Sequence, residues 1–389
     1  MYTVLTSAIK NFGDFLIAER GKSLLKTYGK EKEFLEYKRW ESLDSKMTEI
    51  NETKAIILCG GPGYQTNFYP DIFRLVKNLN NIKIPVIPLG LGWRGYPTYH
   101  PENFHFDASS KTLLQYIHNN CIESSCRDNI TREILNRYDC KNVVMTGCPA
   151  WYDINSIGKK FEQPKYINRI AVSMTPTPIF LQQNIELLQQ LRNLLKPSYP
   201  KVELFAVFHR GITEDEFTIA KDGKYLQRLA SYAEETGYKV IDASYSTANM
   251  DLYRECDFHV GFRIHAHIFF LSLRKPTFLL WVDGRGRALS ETLGLPDVPL
   301  ELKSTNPTAL IRIKSNLPSK LLRILGKIEI VRRINQSTAS DTSLNQNAVN
   351  SVLKDIEKQL MNGFQRFQGV DTKLDNYFKE MVRFLQNLP

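Results

Sequence analysis

Cys256-Asp257-Phe258-His259-Val260-Gly261-Phe262-Arg263-Ile264-His265 runs straight into an apolar stretch, Ala266 to Leu273. The first part reads as a buried strand that ends in Gly-x-Arg-x-His. The second part reads as a helix that starts at once. After Lys275-Pro276-Thr277 comes another apolar strand, Phe278 to Val282, and then a charged loop, Asp283-Gly284-Arg285-Gly286-Arg287. Strand, helix, strand is the unit of a parallel sheet. Ligands collect outside the carboxyl ends of such strands. Arg263 and His265 therefore stand where a cation and a proton carrier would meet a ligand.

The same alternation extends in both directions. Upstream, the spacing predicts strands at 169–174, 202–208 and 239–242, with helices at 180–195, 223–236 and 248–255 between them. The second of these strands ends in His209-Arg210-Gly211. The first half repeats the pattern. A helix over about 14–28 opens at Asn11-Phe12-Gly13-Asp14, with Asp14 as a candidate cap. A polar stretch, 30–53, follows. Ala55-Ile56-Ile57-Leu58-Cys59 reads as a buried strand ending in Gly60-Gly61-Pro62-Gly63. A helix is expected over 70–79, a strand from Pro85 to Gly90, helices at 109–119 and 129–137, and a strand at Val143-Val144-Met145.

With 389 residues the chain exceeds one ordinary core. The expected architecture is α/β: residues 1–155 as an N-terminal domain, 165–335 as a C-terminal domain, and 336–389 as a polar link and C-terminal helix. The link is the Asn-, Gln-, Ser- and Thr-rich stretch 335–350. Val352, Ile356, Leu360, Phe364 and Phe367 recur at helical spacing in 350–387.

Composition narrows the partners. Fifty-one Lys and Arg against 41 Asp and Glu leave a net charge of +10, which favours an anionic partner. No basic run, zinc finger or aromatic RNA-binding signature points to nucleic acid. Eight cations in 303–333 alternate with Leu and Ile. They read as a solvated helix face or as peripheral contact with an anionic membrane. The six cysteines form no C-x-x-C pair, so neither zinc nor another metal is expected. Scattered cysteines and an N-terminus without a secretory pattern place the chain in the cytoplasm, with the inner membrane face as the peripheral alternative.

Two arginines at strand ends of one sheet, Arg263 and Arg210, suit a phosphate or carboxylate. A helix N-terminus beside Arg263 adds to that preference. His265 is the acid/base candidate, and His209 and the Gly60-Gly61 turn are candidate substrate contacts. His267 lies two residues from His265. Positions i and i+2 share no helix face, so His267 reads as a core residue.

These motifs, in this order, resemble the polysaccharide pyruvyl transferase family. Asn11-Phe12-Gly13-Asp14 is similar to its Asn-x-Gly-Asp opening, and Ser125-Cys126-Arg127-Asp128 to its Ser-x-Arg-Asp. Arg263-Ile264-His265 is similar to its Arg-hydrophobic-His step. Two departures stand out. Gly147-Cys148-Pro149-Ala150 replaces a Pro-Asp-Ala type of element, although Asp153 follows. Gly261 stands where a Ser or Thr is common.

The resemblance implies two Rossmann-like domains facing across a cleft, in a GT-B-like arrangement with a C-terminal helical segment. Phosphoenolpyruvate would be the donor substrate, with no cofactor. A sugar or lipid-linked saccharide would accept pyruvate, usually as a ketal on two hydroxyls, with release of phosphate. Arg263 and Arg210 would bind the donor, and His265 would give the proton. Asp14 and Asp128 would touch the acceptor or cap helices. Arg127 would contact substrate, and Arg285 and Arg287 would bind anions from their loop. A nucleotide-sugar glycosyltransferase of the same architecture is the alternative within enzymes. A non-catalytic protein that binds an anionic glycan or membrane is the alternative outside them.

Overall fold

The computed structural model describes residues 1–95, 100–161, 163–217, 220–300 and 345–389. The basic segment 303–333 and most of the polar link, 335–344, lie outside the described residues.

The first sheet belongs to the run β1 (Tyr2–Thr6), α1 (Phe12–Tyr28), β2 (Phe34–Lys38), the single turn α2 (Met47–Ile50), β3 (Ile56–Cys59) and β4 (Val86–Leu89). Then come α3 (Ala108–Asn120), β5 (Ser124–Cys126), α4 (Asn129–Asn136) and β6 (Val143–Met145). Its four parallel strands lie in the order β2-β1-β3-β4, and the parallel pair β5-β6 joins them through a bridge between Leu91 and Cys126. The second sheet belongs to β7 (Arg169–Ser173), α5 (Leu181–Leu195), β8 (Glu203–Phe208), α6 (Ala220–Glu235), β9 (Lys239–Asp242) and α7 (Met250–Glu255). It continues through β10 (Phe258–Gly261), α8 (Ile264–Ser272), β11 (Thr277–Trp281), α9 (Gly284–Leu293) and β12 (Val298–Pro299). The order β12-β11-β10-β7-β8-β9, all parallel, is that of a doubly wound α/β sheet.

Strands β3, β4 and β10, and β7 beyond Arg169, are buried on both faces because helices cover both sides of each sheet. Three readings change. The polar stretch 30–53 contains β2, an edge strand whose half-exposed residues carry no apolar run. The expected helix over 70–79 does not form. One irregular turn, Phe68–Ile72, stands there, with Tyr69 extended (φ −136°, ψ 137°) and Leu75 at φ 44°. Pro70 has no N–H to donate and biases Tyr69 away from the helical region. The C-terminal helix is two helices, α10 (Ala348–Asn362) and α11 (Val370–Gln386), divided at Gly363, whose φ of 74° ends the first.

These two helices serve different sheets. α10 packs on β11 and α5, whereas α11 crosses back to α1 and β6. Phe378 of α11 meets Tyr28 and Tyr152, with ring centroids 5.6 and 5.2 Å away. The Tyr2 hydroxyl donates to the Pro389 carbonyl at 3.1 Å.

Several contacts across the cleft join carboxyl-end loops and helix starts. The Phe12 N–H donates to the His209 carbonyl at 3.0 Å and the Tyr245 N–H to Lys10 at 2.7 Å. Buried Lys10 pairs with Asp215 at 2.6 Å. Gly284 donates to Gly95 at 3.1 Å. A Cβ on Gly95 would stand 2.4 Å from the Gly284 Cα, so both positions must be bare for the backbones to touch. The Phe12 ring lies fully buried against His209, Tyr253 and Phe269, with centroids 4.6, 5.7 and 6.3 Å away. Phe12→Ala should destabilise the protein by about 3–5 kcal/mol, read as a lowered urea midpoint.

Candidate functional site

Strand order places the site. In the first sheet the order reverses between β1 and β3, and in the second between β7 and β10. Crevices open at such switch points. The first is edged by the Lys10–Asp14 turn and Gly60-Gly61, the second by Ser173 and Phe262–His265. The domains bring the two crevices together.

His265 is buried, with 4% of its surface exposed, in the first turn of α8. Its ring lies on Gly13 of α1, where a Cβ would fall 1.8 Å from Nδ1. Arg263 is the residue that precedes α8, and its Nη2 donates to Asn11 Oδ1 across the cleft at 2.7 Å. Arg285 comes from α9, the third helix that starts here. Asp283 caps that helix by accepting the Arg285 N–H, and its carboxylate also grips the Arg285 guanidinium, with Nη2 at 2.5 Å. A small pocket is lined by Arg263, His265, Trp281, Asp283 and Arg285 among others.

The charges perturb one another. Burial first, then Arg285, Arg263 and Arg127, push the His265 imidazole well below its usual value. Burial, then Arg285 and Arg210, lower Arg263 to about 10, against the opposing pull of Asp14 and Asp283. That shift corresponds to roughly 3 kcal/mol of lost preference for the charged form. Burial raises the Asp14 carboxyl, although Arg39, Asn11, Arg285 and Arg210 work to lower it.

The other expected residues divide. Arg127 is buried in the N-terminal domain, its Nε on Asp128 at 3.1 Å and its Nη2 on the Trp93 carbonyl at 2.7 Å. Asp128 caps α4 through the Thr131 N–H at 2.7 Å. Arg210 is exposed at the end of β8. His209 turns into the core, where Nε2 meets the Tyr253 hydroxyl at 2.6 Å. Burial then drives its imidazole well below the usual range. Gly60 and Gly61 take φ of 57° and 79° in the turn after β3, beside Ile17 of α1.

Residues 283–287 are not a loop but the start of α9. Arg285 and Arg287 thus leave the helix about 200° apart. Arg287 is directed to Glu291 at 2.7 Å.

The sequence reading overlooked Arg39, which follows β2. Burial lowers its guanidinium against the pull of Asp14, and its Nη1 is buried without a hydrogen bond. Nothing flagged it because the edge strand before it has no apolar signature. All six cysteines are free and buried. Burial raises the thiols of Cys59 and Cys126, and the others likewise, so none is a ready nucleophile. Among the described residues no group of three or more His, Cys, Asp or Glu is placed to hold a metal ion. None of their helices is long and apolar enough to cross a membrane.

The profile of the family described as polysaccharide pyruvyl transferase matches residues 11–284. Among curated proteins none matches significantly. Solved structures with a similar course of chain include MnaA of S. aureus with UDP (13% identity, 93% of this chain and 97% of that one, TM-score 0.46). Another is the UDP-GlcNAc 2-epimerase of Neisseria meningitidis bound to UDP-GlcNAc (12%, 99% and 99%, 0.47). A third is the UDP-GlcNAc 2-epimerase of Methanocaldococcus jannaschii with UDP-GlcNAc and UDP (10%, 84% and 99%, 0.46).

Arg285→Met removes the largest of the charges acting on His265. With less charge opposing the imidazolium, the His265 pKa should rise towards about 6.5. An NMR titration of the ring Cε1–H checks this. An unchanged pKa would mean that Arg285 does not act on His265.

Proposed function

The chain belongs to the polysaccharide pyruvyl transferase family, and we propose that it transfers the pyruvyl group of phosphoenolpyruvate to hydroxyls of a saccharide. The observation that carries this reading is a neutral histidine set among the guanidiniums of Arg263, Arg285 and Arg127. Phosphoenolpyruvate brings a carboxylate and a phosphate on one small carbon frame. Fork-shaped donors match both groups, and three helix N-termini, of α1, α8 and α9, add partial positive charge.

In this reading Arg263 and Arg285 hold the donor's two anionic groups, with Arg127 on the facing domain and Arg210 at the rim. The charge lost from a departing phosphate stays balanced by fixed cations, which need no reorganisation. His265 enters neutral, so it begins as a base. It takes the proton of the first acceptor hydroxyl as that oxygen bonds to C2, and delivers it to the methylene carbon, which becomes a methyl group. The C2–O bond to phosphate then breaks. A second hydroxyl closes the ketal on C2, and its proton leaves with the phosphate. Asp14, raised by burial and next in chain to the glycine beneath His265, faces the acceptor side of this exchange. The acceptor is a sugar, free or lipid-linked, and no cofactor is called for.

His265→Ala should lower turnover by about 10²–10⁴-fold, measured as phosphate released from phosphoenolpyruvate with a saccharide acceptor. Near-normal turnover would remove His265 from the chemistry. Phosphoenolpyruvate should also raise the wild-type thermal midpoint, by the equivalent of about 2.7 kcal/mol at a hundred times its Kd. Arg263→Met should abolish that shift. Stabilisation by a nucleotide sugar but not by phosphoenolpyruvate would instead favour a glycosyltransferase.

The sign of the pH dependence follows from the depressed imidazole. A base is active above its pKa, so kcat/KM should hold as pH falls through 6.5 and fail only well below it. The ionisation of substrate phosphate near pH 6 is common to all variants. Arg285→Met should therefore move the acid limb upward relative to wild type.

A further inference from the structure

Helix α8 begins without a capping side chain of its own. The Arg263 N–H instead donates to Ser173 Oγ, on the neighbouring strand β7, at 3.1 Å. Ser173 is fully buried at the switch point between β7 and β10. Gly261 makes room for it, since a Cβ there would stand 2.7 Å from Ser173 Oγ and 2.4 Å from its carbonyl oxygen.

Ser173 is also the first link of a longer chain. Its Oγ lies 2.8 Å from His259 Nε2, and His259 Nδ1 lies 2.8 Å from Thr277 Oγ1. The same Thr277 oxygen lies 3.0 Å from His267 Nδ1. His267 Nε2 stands 3.4 Å from Asp297 Oδ2. Asp297 in turn binds Ser290 at 2.9 Å and Arg366 at 2.8 Å, and Arg366 reaches Asp355 of α10. Ser173, His259, Thr277 and His267 have no exposed surface.

Burial works to raise the Asp297 carboxyl, but His267, Arg366 and Ser290 hold it down to about 2. Asp297 is therefore an acceptor only, an ion-pair distance from His267 Nε2, which makes no hydrogen bond of its own. The hydrogen bonds run from His267 Nδ1 through Thr277 Oγ1 and His259 to Ser173 Oγ. Thr277 thus fixes the His259 ring, and His259 fixes the Ser173 hydroxyl, whose oxygen accepts the Arg263 N–H.

We infer that Ser173 is the positioning residue for Arg263, and that it is held in place through His259 and Thr277 by a buried relay anchored at Asp297 and Arg366. Both anchors lie beyond the family match, which ends at residue 284. The inference rests on reading Arg263 as an anion ligand. Its effect is to tie the start of α8 to the C-terminal helices through the core of the sheet, without any contact between those helices and the pocket.

The test uses the full chain with Ser173→Ala, Thr277→Val and the double variant. Hydrogen exchange at the Arg263 amide is measured, together with affinity for inorganic phosphate. Each single substitution should speed that exchange and weaken phosphate binding about tenfold, as expected for one lost hydrogen bond to a charged-site scaffold. The double variant should be no worse than the worse single, because both break one chain. Normal Arg263 exchange in Thr277→Val, or effects that add, would overturn the relay. Should Thr277→Val fail to fold, Asp297→Asn breaks the chain one link further on and is held to the same outcomes. If phosphoenolpyruvate proves not to be the donor, the exchange result still stands, so the two readings fail separately.

Discussion

Gly13 lies against the His265 imidazole with no room between them for a side chain. That contact sets how closely the first turn of α1 can approach the first turn of α8. From it follow the Asn11–Arg263 hydrogen bond, the burial of Phe12 against His209 and Tyr253, and the meeting of two strand-order reversals in one cleft. The bare Gly95–Gly284 contact repeats the device on the other side of the pocket. Bare glycines at these two contacts let Arg263, His265 and Arg285 stand beside the facing domain.

The resulting site is electrostatically costly. Arg263 is lowered to about 10 by burial and by neighbouring arginines, and the His265 imidazole is pushed well below its usual value first by burial and then by Arg285, Arg263 and Arg127. Two carboxylates relieve part of this repulsion. Asp283 is committed to Arg285 and to the cap of α9, and Asp14 stands among Arg39, Arg285 and Arg210. In the proposed reaction an arriving anion would supply the rest. The C-terminal helices take part from a distance. α11 ties back to the first domain, and α10 meets the buried polar chain that ends at Ser173.

Much of the scaffold was legible locally. Apolar runs ending in glycine marked β3 and β10, because a strand covered by helices on both faces leaves no polar alternation. Arg263 and His265 were legible for the same reason, as polar residues at the edge of such runs. The misreadings share a cause. β2 is a half-exposed edge strand without an apolar signature, and Arg39 at its end went unseen with it. Over 70–79 the apolar spacing suited a helix, but Pro70 and the packing of Phe68 and Phe73 made an irregular turn. The Gly-rich spacing of 283–287 suggested a loop, yet Asp283 caps a helix there, which sends Arg285 to the pocket and Arg287 to Glu291.

Local sequence determined the alternation of strands and helices, the carboxyl-end position of Arg263, Arg210 and His265, and the excess positive charge that calls for an anionic partner. Those properties depend on neighbours a few residues away, through backbone geometry and burial period. Tertiary structure alone decided which charges face each other. His209 and Arg210 are adjacent in sequence, yet the first is locked on Tyr253 in the core and the second lies at the rim. Gly13 and His265 are separated by most of the chain and touch. The state of His265 depends on guanidiniums from three separate segments, so no local pattern could have shown it.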